Sequence, residues 1–310
     1  MSSNQKKRVG NRLMVIIGAV LLIMAGSMEA RTAKPQKPRF YIKFNGMGSV
    51  TTGGDYGLMV KANELFFPDL DASSTTTSIQ TKTDRFFRGY GGEIGFETPR
   101  FAVGVSAGYL EKNFAVTAHE TWDLGAVSDY TRNFQFSALP LFVMIHYKVI
   151  DTSFLSAFVT VGEGVYLAKY RDEFAQTLQN QTLTFANKVV EGKRNSLGFQ
   201  IGTTVDLKFT RNLAIFLEAT YRLVQFKELK ATDYYEDDER VITKEGNLYY
   251  WLNSITGETR FAVGAPTVSQ LPWEGLPAVL NLNGFSFSAG IKIIFGRGKT
   301  AEPIRIPPAE

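Results

Sequence analysis

The 310-residue chain contains no cysteine, which excludes a disulfide framework, a thiolate metal site and a cysteine nucleophile. Its formal net charge is +4 at pH 7. Most of that excess lies in the first thirty residues, so it gives no footing for nucleic-acid binding.

Lys6, Lys7, Arg8 and Arg12 precede thirteen apolar residues at 13–25, and small residues follow at Gly26, Ser27 and Ala30. That order predicts a secretory signal peptide over 1–30. The uncharged run ends at Met28 after sixteen residues, short of a spanning helix. Cleavage would remove Lys6, Lys7, Arg8, Arg12 and Glu29, four cations and one anion, and take the net charge from +4 to +1. Residues 31–38 read as a short basic periplasmic leader.

From residue 39 onward the pattern has a period of two, which places alternate side chains on opposite faces of a strand. Residues 39–53 put Phe40, Ile42 and Phe44 on one face. A polar, Ser/Thr-rich stretch follows at 54–85. Residues 86–97 set Tyr90, Ile94 and Phe96 against Gly91, Glu93, Gly95 and Glu97. Residues 101–112 set Phe101, Val103, Val105, Ala107 and Tyr109 against Ala102, Gly104, Ser106 and Gly108. Residues 133–148 carry Leu139, Leu141, Val143, Ile145 and Tyr147 on one face. Residues 154–169 carry Leu155, Ala157, Val159 and Val161, and the upper half is irregular enough to suggest a bulge at Glu163. Residues 196–209 and Leu213–Lys227 alternate again. Gly284–Phe295 is the clearest: Phe285, Phe287, Ala289, Ile291, Ile293 and Phe295 oppose Gly284, Ser286, Ser288, Gly290 and Lys292.

These are eight strands, and their connections run 32, 3, 20, 5, 26, 3 and 56 residues. Strict alternation of long and short, with an even strand number, predicts an all-β, antiparallel up-and-down transmembrane barrel with long extracellular loops. A soluble barrel has no reason to place every long loop on one rim, and it buries its apolar face. The aromatic excess fits the same reading. Phe40, Phe96, Phe101, Tyr147, Phe209 and Phe295 all fall on apolar faces at the short-turn ends, as an aromatic girdle would. From Phe199 to Phe209 a tilted strand rises roughly 23 Å, the height of an outer-membrane apolar band.

The opposite faces would then line a lumen only wide enough for side chains to fill. Lys43, Lys208, Arg222 and Lys292 face Glu93, Glu97, Asp206 and Glu218 by parity, four charges against four. A balanced set predicts a network of buried ion pairs, since an unpaired buried charge is costly. A narrow charge-lined pore is the alternative.

The eight alternating strands, the rim asymmetry and the terminal Phe295 resemble the small bacterial outer-membrane β-barrel superfamily, the OmpA- and OmpX-type domains. The resemblance covers 39–295. It implies an integral cell outer-membrane protein, partnered by outer-membrane lipid, lipopolysaccharide and the barrel-assembly machinery. It departs from the family where 296–310 extend beyond the last strand. That stretch reads as a periplasmic tail, too short for a peptidoglycan-binding domain.

No catalytic or metal-binding constellation stands out, and no cofactor is expected. Barrel lipases and acyltransferases use a His with a Ser and an acidic partner. His146, with lumen-facing parity, and His119, beside Glu120, lack a Ser at the two-residue spacing of the lipid-A deacylases, and both read as structural. The acidic run at 233–239 lacks EF-hand spacing and its glycine, and reads as a solvated surface. Within the last connection, 248–252 and 259–263 flank a turn and predict a short hairpin above the membrane. The expectation is a non-enzymatic barrel presenting surface loops for interaction with an extracellular ligand or for envelope integrity. A small-solute or ion channel is the first alternative and a lipid-modifying enzyme the second.

Overall fold

The computed structural model describes residues 38–51, 76–84, 86–121, 127–179, 184–237, 239–255, 259–266 and 273–296. The signal segment, the leader as far as Lys37 and the tail beyond Gly296 lie outside the described residues.

In chain order the strands are β1 (Arg39–Thr51), β2 (Thr76–Thr83), β3 (Phe87–Glu97), β4 (Phe101–Thr121), β5 (Val127–Asp151), β6 (Leu155–Gln179) and β7 (Thr184–Lys208). Then come β8 (Leu213–Lys227), β9 (Lys230–Asp237), β10 (Val241–Asn253), β11 (Thr259–Val263), β12 (Trp273–Pro277), β13 (Val279–Asn281) and β14 (Gly284–Phe295). Eight of them close a ring in the order β1-β3-β4-β5-β6-β7-β8-β14, every pair antiparallel. The seam joins the first strand to the last, from Phe40↔Phe295 to Thr51↔Gly284, and leaves the ring without an open edge. At its upper end Gly284 adopts φ 149°, and a Cβ there would collide with the carbonyl oxygen of Val50. The short connections are tight. Thr98 Oγ1 accepts from the Phe101 amide at 3.1 Å, and Thr152 Oγ1 does the same for Leu155 at 3.0 Å.

Three expectations are corrected. First, the second and third connections are largely strand. β4 runs 21 residues and β5, β6 and β7 run 25 each, so their hairpins rise well beyond a bilayer. The cause is an exchange of polarity. In β4 the outward residues change from Val103, Val105 and Tyr109 to Glu111, Asn113 and Thr117. The inward residues change from Gly104, Ser106 and Gly108 to buried Leu110, Phe114, Val116 and Ala118. The period of two never breaks; only the solvent outside changes from lipid to water. Second, the first and last connections add strands to this extension. β2 pairs the upper half of β4, and β9 pairs the upper half of β7. β10 pairs β9 through its first half and both β11 and β12 through its second half, and the expected hairpin is present with register Leu248↔Val263 to Leu252↔Thr259. The acidic run is mostly β9, where Asp233 pairs with Lys188 at 3.4 Å. Third, Glu163 is not a bulge. It stays in register with Val143 and Phe199, and the one shift on β5–β6 lies between Lys148 and Ile150.

The main apolar core therefore sits in the upper lumen and the extension, not in the lower barrel. Phe134, Phe136, Phe142, Tyr166, Tyr170 and Phe226 are joined there by Leu229, Leu248, Phe261, Leu280 and Leu282 from the last connection.

Candidate functional site in the barrel lumen

Strand register decides which lumen charges meet. The pairs Lys43↔Glu93 and Lys43↔Lys292 bring β3, β1 and β14 together near the periplasmic end, and Ser156↔Asp206 adds β6 and β7. Glu97 is 2% exposed and receives Lys148 Nζ at 2.7 Å, Lys292 Nζ at 2.8 Å and Arg39 at 3.3 Å. Lys292 bridges onward to Asp206 at 2.7 Å. Glu93 takes Lys43 Nζ at 3.4 Å and His146 Nε2 at 2.7 Å, and the Tyr41 hydroxyl donates to it. Rings insulate these groups: Lys292 lies 4.9 Å from the centroids of both Tyr41 and Phe158, and Lys43 lies 5.3 Å from that of Phe216.

Five of the eight sequence-derived lumen charges, Lys43, Glu93, Glu97, Asp206 and Lys292, thus form one buried layer. The other three sit elsewhere. Arg222 is higher and donates to Ser49, which contacts Ser286 at 3.0 Å. Glu218 accepts from Thr204 at 2.9 Å. Lys208 turns to the lower rim and pairs with Asp151. Sequence reasoning missed Tyr41 and Lys148 as members, although both have lumen parity next to Phe40 and Tyr147. It also gave His146 no partner; the cross-barrel Glu93 supplies one.

Above this layer lies a chamber of about 70 Å³ bordered by Lys43, Glu93, Gln200, Glu218 and Arg222. That is room for a few water molecules. Phe142 and Tyr166 roof it, their rings edge to face at 5.1 Å, and the apolar core continues upward from them. The lumen is filled twice, by paired charge below and by aromatic packing above.

The exterior is the reverse. Phe40 packs its ring against Phe96 at 5.6 Å and Phe295 at 5.7 Å, Phe101 pairs with Tyr147, and Phe209 is exposed on the same rim. Higher up, Tyr90 meets Tyr109 at 5.8 Å and Tyr221 meets Phe285 at 5.0 Å. Between these levels Ile94, Val105, Val143, Leu217, Phe287 and Ile291 are all exposed. A continuous apolar belt on the outside of a closed barrel is a surface for hydrocarbon, not water. The chain is a transmembrane β-barrel of the outer-membrane type.

No protein-family model and no curated protein matches the chain. Among solved structures it is similar to a major outer membrane protein from Thermus thermophilus, with 14% identity, TM-score 0.40, and 84% of this chain and 100% of the other covered. It is also similar to the outer membrane protease OmpT from Escherichia coli, with 10% identity, TM-score 0.31, and 86% and 99% covered. The outer membrane protein AlkL gives 12% identity, TM-score 0.32, and 88% and 97% covered. At this level of similarity the barrel assignment stands on the chain's own pairings and its outer belt.

His119 lies far from the lumen, in the extension, where its Nδ1 is 2.6 Å from the cross-strand Asp129 and both side chains are exposed. Among the described residues no group of three or more His, Asp or Glu could hold a metal ion.

Proposed function

We propose that this is a non-conducting, non-enzymatic outer-membrane protein whose barrel anchors a rigid β-structured extension for contact outside the cell or for envelope integrity. The observation that carries the reading is the double filling of the lumen. A solute entering from either side would have to break the Glu97–Lys292–Asp206 layer or displace the core around Phe136 and Phe226. Neither responds to small side-chain motions, because the first is held by several ion pairs and the second by close packing. The extension supplies what the barrel does not: exposed apolar side chains at Val241, Ile255 and Leu276, in a part of the protein that faces water. Its lipid partners are outer-membrane lipid and lipopolysaccharide at the girdles, and its insertion runs through the barrel-assembly machinery.

Planar-bilayer recording tests this directly. The purified protein gives no regular single-channel steps. Steps of constant size that change with Arg222→Ala would instead support the narrow channel. Lipid-A composition is expected to stay the same on expression, and equally so with His146→Ala or His119→Ala. A change in lipid A that either variant abolishes would support a lipid-modifying enzyme.

A further inference from the structure

β6, β7 and β9 set three lysines side by side on the outer face of the extension. The register Lys169↔Lys193↔Lys230 places them directly opposite one another, about 5 Å apart at Cβ from strand to strand. Like charges in that arrangement repel. They do not guard a sheet edge, because β6, β7 and β9 are each paired on both sides. Lys169 has one carboxylate, Glu191 at 3.4 Å, which Arg171 shares at 3.1 Å. Lys193 and Lys230 are exposed and, among the described residues, make no ion pair. The lipid belt sets their height. Leu167 is exposed two positions below Lys169, and Leu197 four positions below Lys193. At about 3.3 Å per residue and a tilt of about 45°, the cations stand roughly 5–9 Å above those leucines. That is the level of lipid headgroups, not of their chains. Beside Lys169 and a step higher, β4, β5 and β6 form a shallow hollow of about 320 Å³. Asn113, Gln135 and Arg171 make one cross-strand row of its lining, and Asn133 and Glu173 lie in the next. Three amides beside a guanidinium and a carboxylate offer donors and acceptors to hydroxyl groups.

We propose that this face binds one phosphorylated glycolipid of the outer leaflet. Its acyl chains lie against Leu167 and Leu197, a phosphate bridges Lys193 and Lys230, and sugar hydroxyls enter the hollow. The site presupposes the outer-membrane barrel proposed above and gives its lipid partner a defined place. Charge complementarity and the order of the three surfaces select the occupant. A phosphate between the lysines replaces their mutual repulsion with two charge-assisted contacts. A plain phospholipid meets the apolar and the cationic level but leaves the hollow unused. A second copy of this chain, in the same orientation, brings the same cations to the same height and is repelled.

The test is native mass spectrometry of the purified full chain in detergent micelles. The probes are bisphosphorylated lipid A, its dephosphorylated form, phosphatidylglycerol and inorganic phosphate. One bisphosphorylated lipid A is expected to stay bound per chain. Removing its phosphates, or combining Lys193→Ala with Lys230→Ala, lowers that occupancy by about tenfold or more. Asn133→Ala with Gln135→Ala lowers it by about fivefold and leaves phosphatidylglycerol unchanged. The lysine variant keeps heat-modifiable migration on gels, because it removes a repulsion and no packing. Phosphatidylglycerol or inorganic phosphate bound as tightly as lipid A, or lipid A retention indifferent to either pair of substitutions, would each overturn the proposal. Absence of heat-modifiable migration in the unaltered chain would instead remove the barrel reading, and the site with it.

Discussion

The spanning barrel and the extension are built from the same strands and have opposite insides. Below Tyr109 and Leu139 the strands turn apolar side chains to the outside and keep Gly, Ser and charge within. Above those residues Glu111, Gln135 and Lys169 point out, while Phe114, Phe134 and Tyr170 are buried. The backbone pattern is continuous across the boundary, with β5 and β6 in register from Val127↔Gln179 down to Lys148↔Phe158. The two halves teach that hydrogen-bonding geometry and side-chain polarity are separate instructions. A ladder can cross from lipid to water unbroken if its two faces exchange chemistry at the interface. They also differ in what holds them together. The lower half has few large apolar groups inside and relies on ion pairs and ring closure; the upper half has an aromatic core like that of a soluble sandwich.

Substitutions can break that contrast. The largest effect is expected from Glu97→Ala, which removes the carboxylate that buried Lys148 and Lys292 share, leaving Lys292 only Asp206 and Lys148 only the exposed Asp151, and costs about 3–5 kcal/mol. It should lower the temperature of the heat-modifiable gel shift, because the ionic layer belongs to the spanning half. Leu110→Ala, at the base of the upper core, costs about 3 kcal/mol. Its mark is faster proteolysis of the extension, while the spanning barrel keeps its gel shift. Equal loss in both assays for either variant would mean that the halves unfold as one.

The outer faces separate next. Val143→Arg puts a cation at the middle of the lipid belt and costs about 2–4 kcal/mol, read as lower folding stability in lipid vesicles. Thr131→Arg, on the same strand and the same face but in the extension, stays within about 0.5 kcal/mol. Equal effects at the two positions would remove the boundary between them.

The spanning half was legible because its pattern needs only parity. Eight alternating runs and a short–long rhythm of connections gave strand number, seam and girdle, and Leu248–Leu252 against Thr259–Val263 was recognised as a hairpin for the same reason. The extension is not legible because its strands lack the apolar outward face that marks a strand in the spanning half. In β4 beyond Tyr109 the apolar face is the inward one, so residues such as Phe114 and Val116 fell inside what reads as a polar connection. The lumen layer was partly legible. Parity placed Lys43, Glu93, Glu97, Asp206 and Lys292 inward, but depth decides partners, and depth is not written in alternation. Lys208 has the right parity and lies at the rim; Lys148 has the right parity and lies at the centre of the layer. Glu163 shows the converse: an irregularity in the pattern reads as a backbone event, whereas the ladder is regular and the side chain is the exception.

The most direct test of the inversion uses the natural absence of cysteine. Single cysteines placed one at a time along β5 from Thr131 to Tyr147 in lipid vesicles, each carrying a nitroxide, report access to oxygen against a water-soluble nickel chelate. The outward positions 139, 141, 143 and 145 should favour oxygen, and 131, 133, 135 and 137 should favour nickel, with the change falling between Leu139 and Ser137. Nickel access at Val143 equal to that at Thr131 would contradict the account, because it would put water against the surface that the whole barrel assignment gives to lipid.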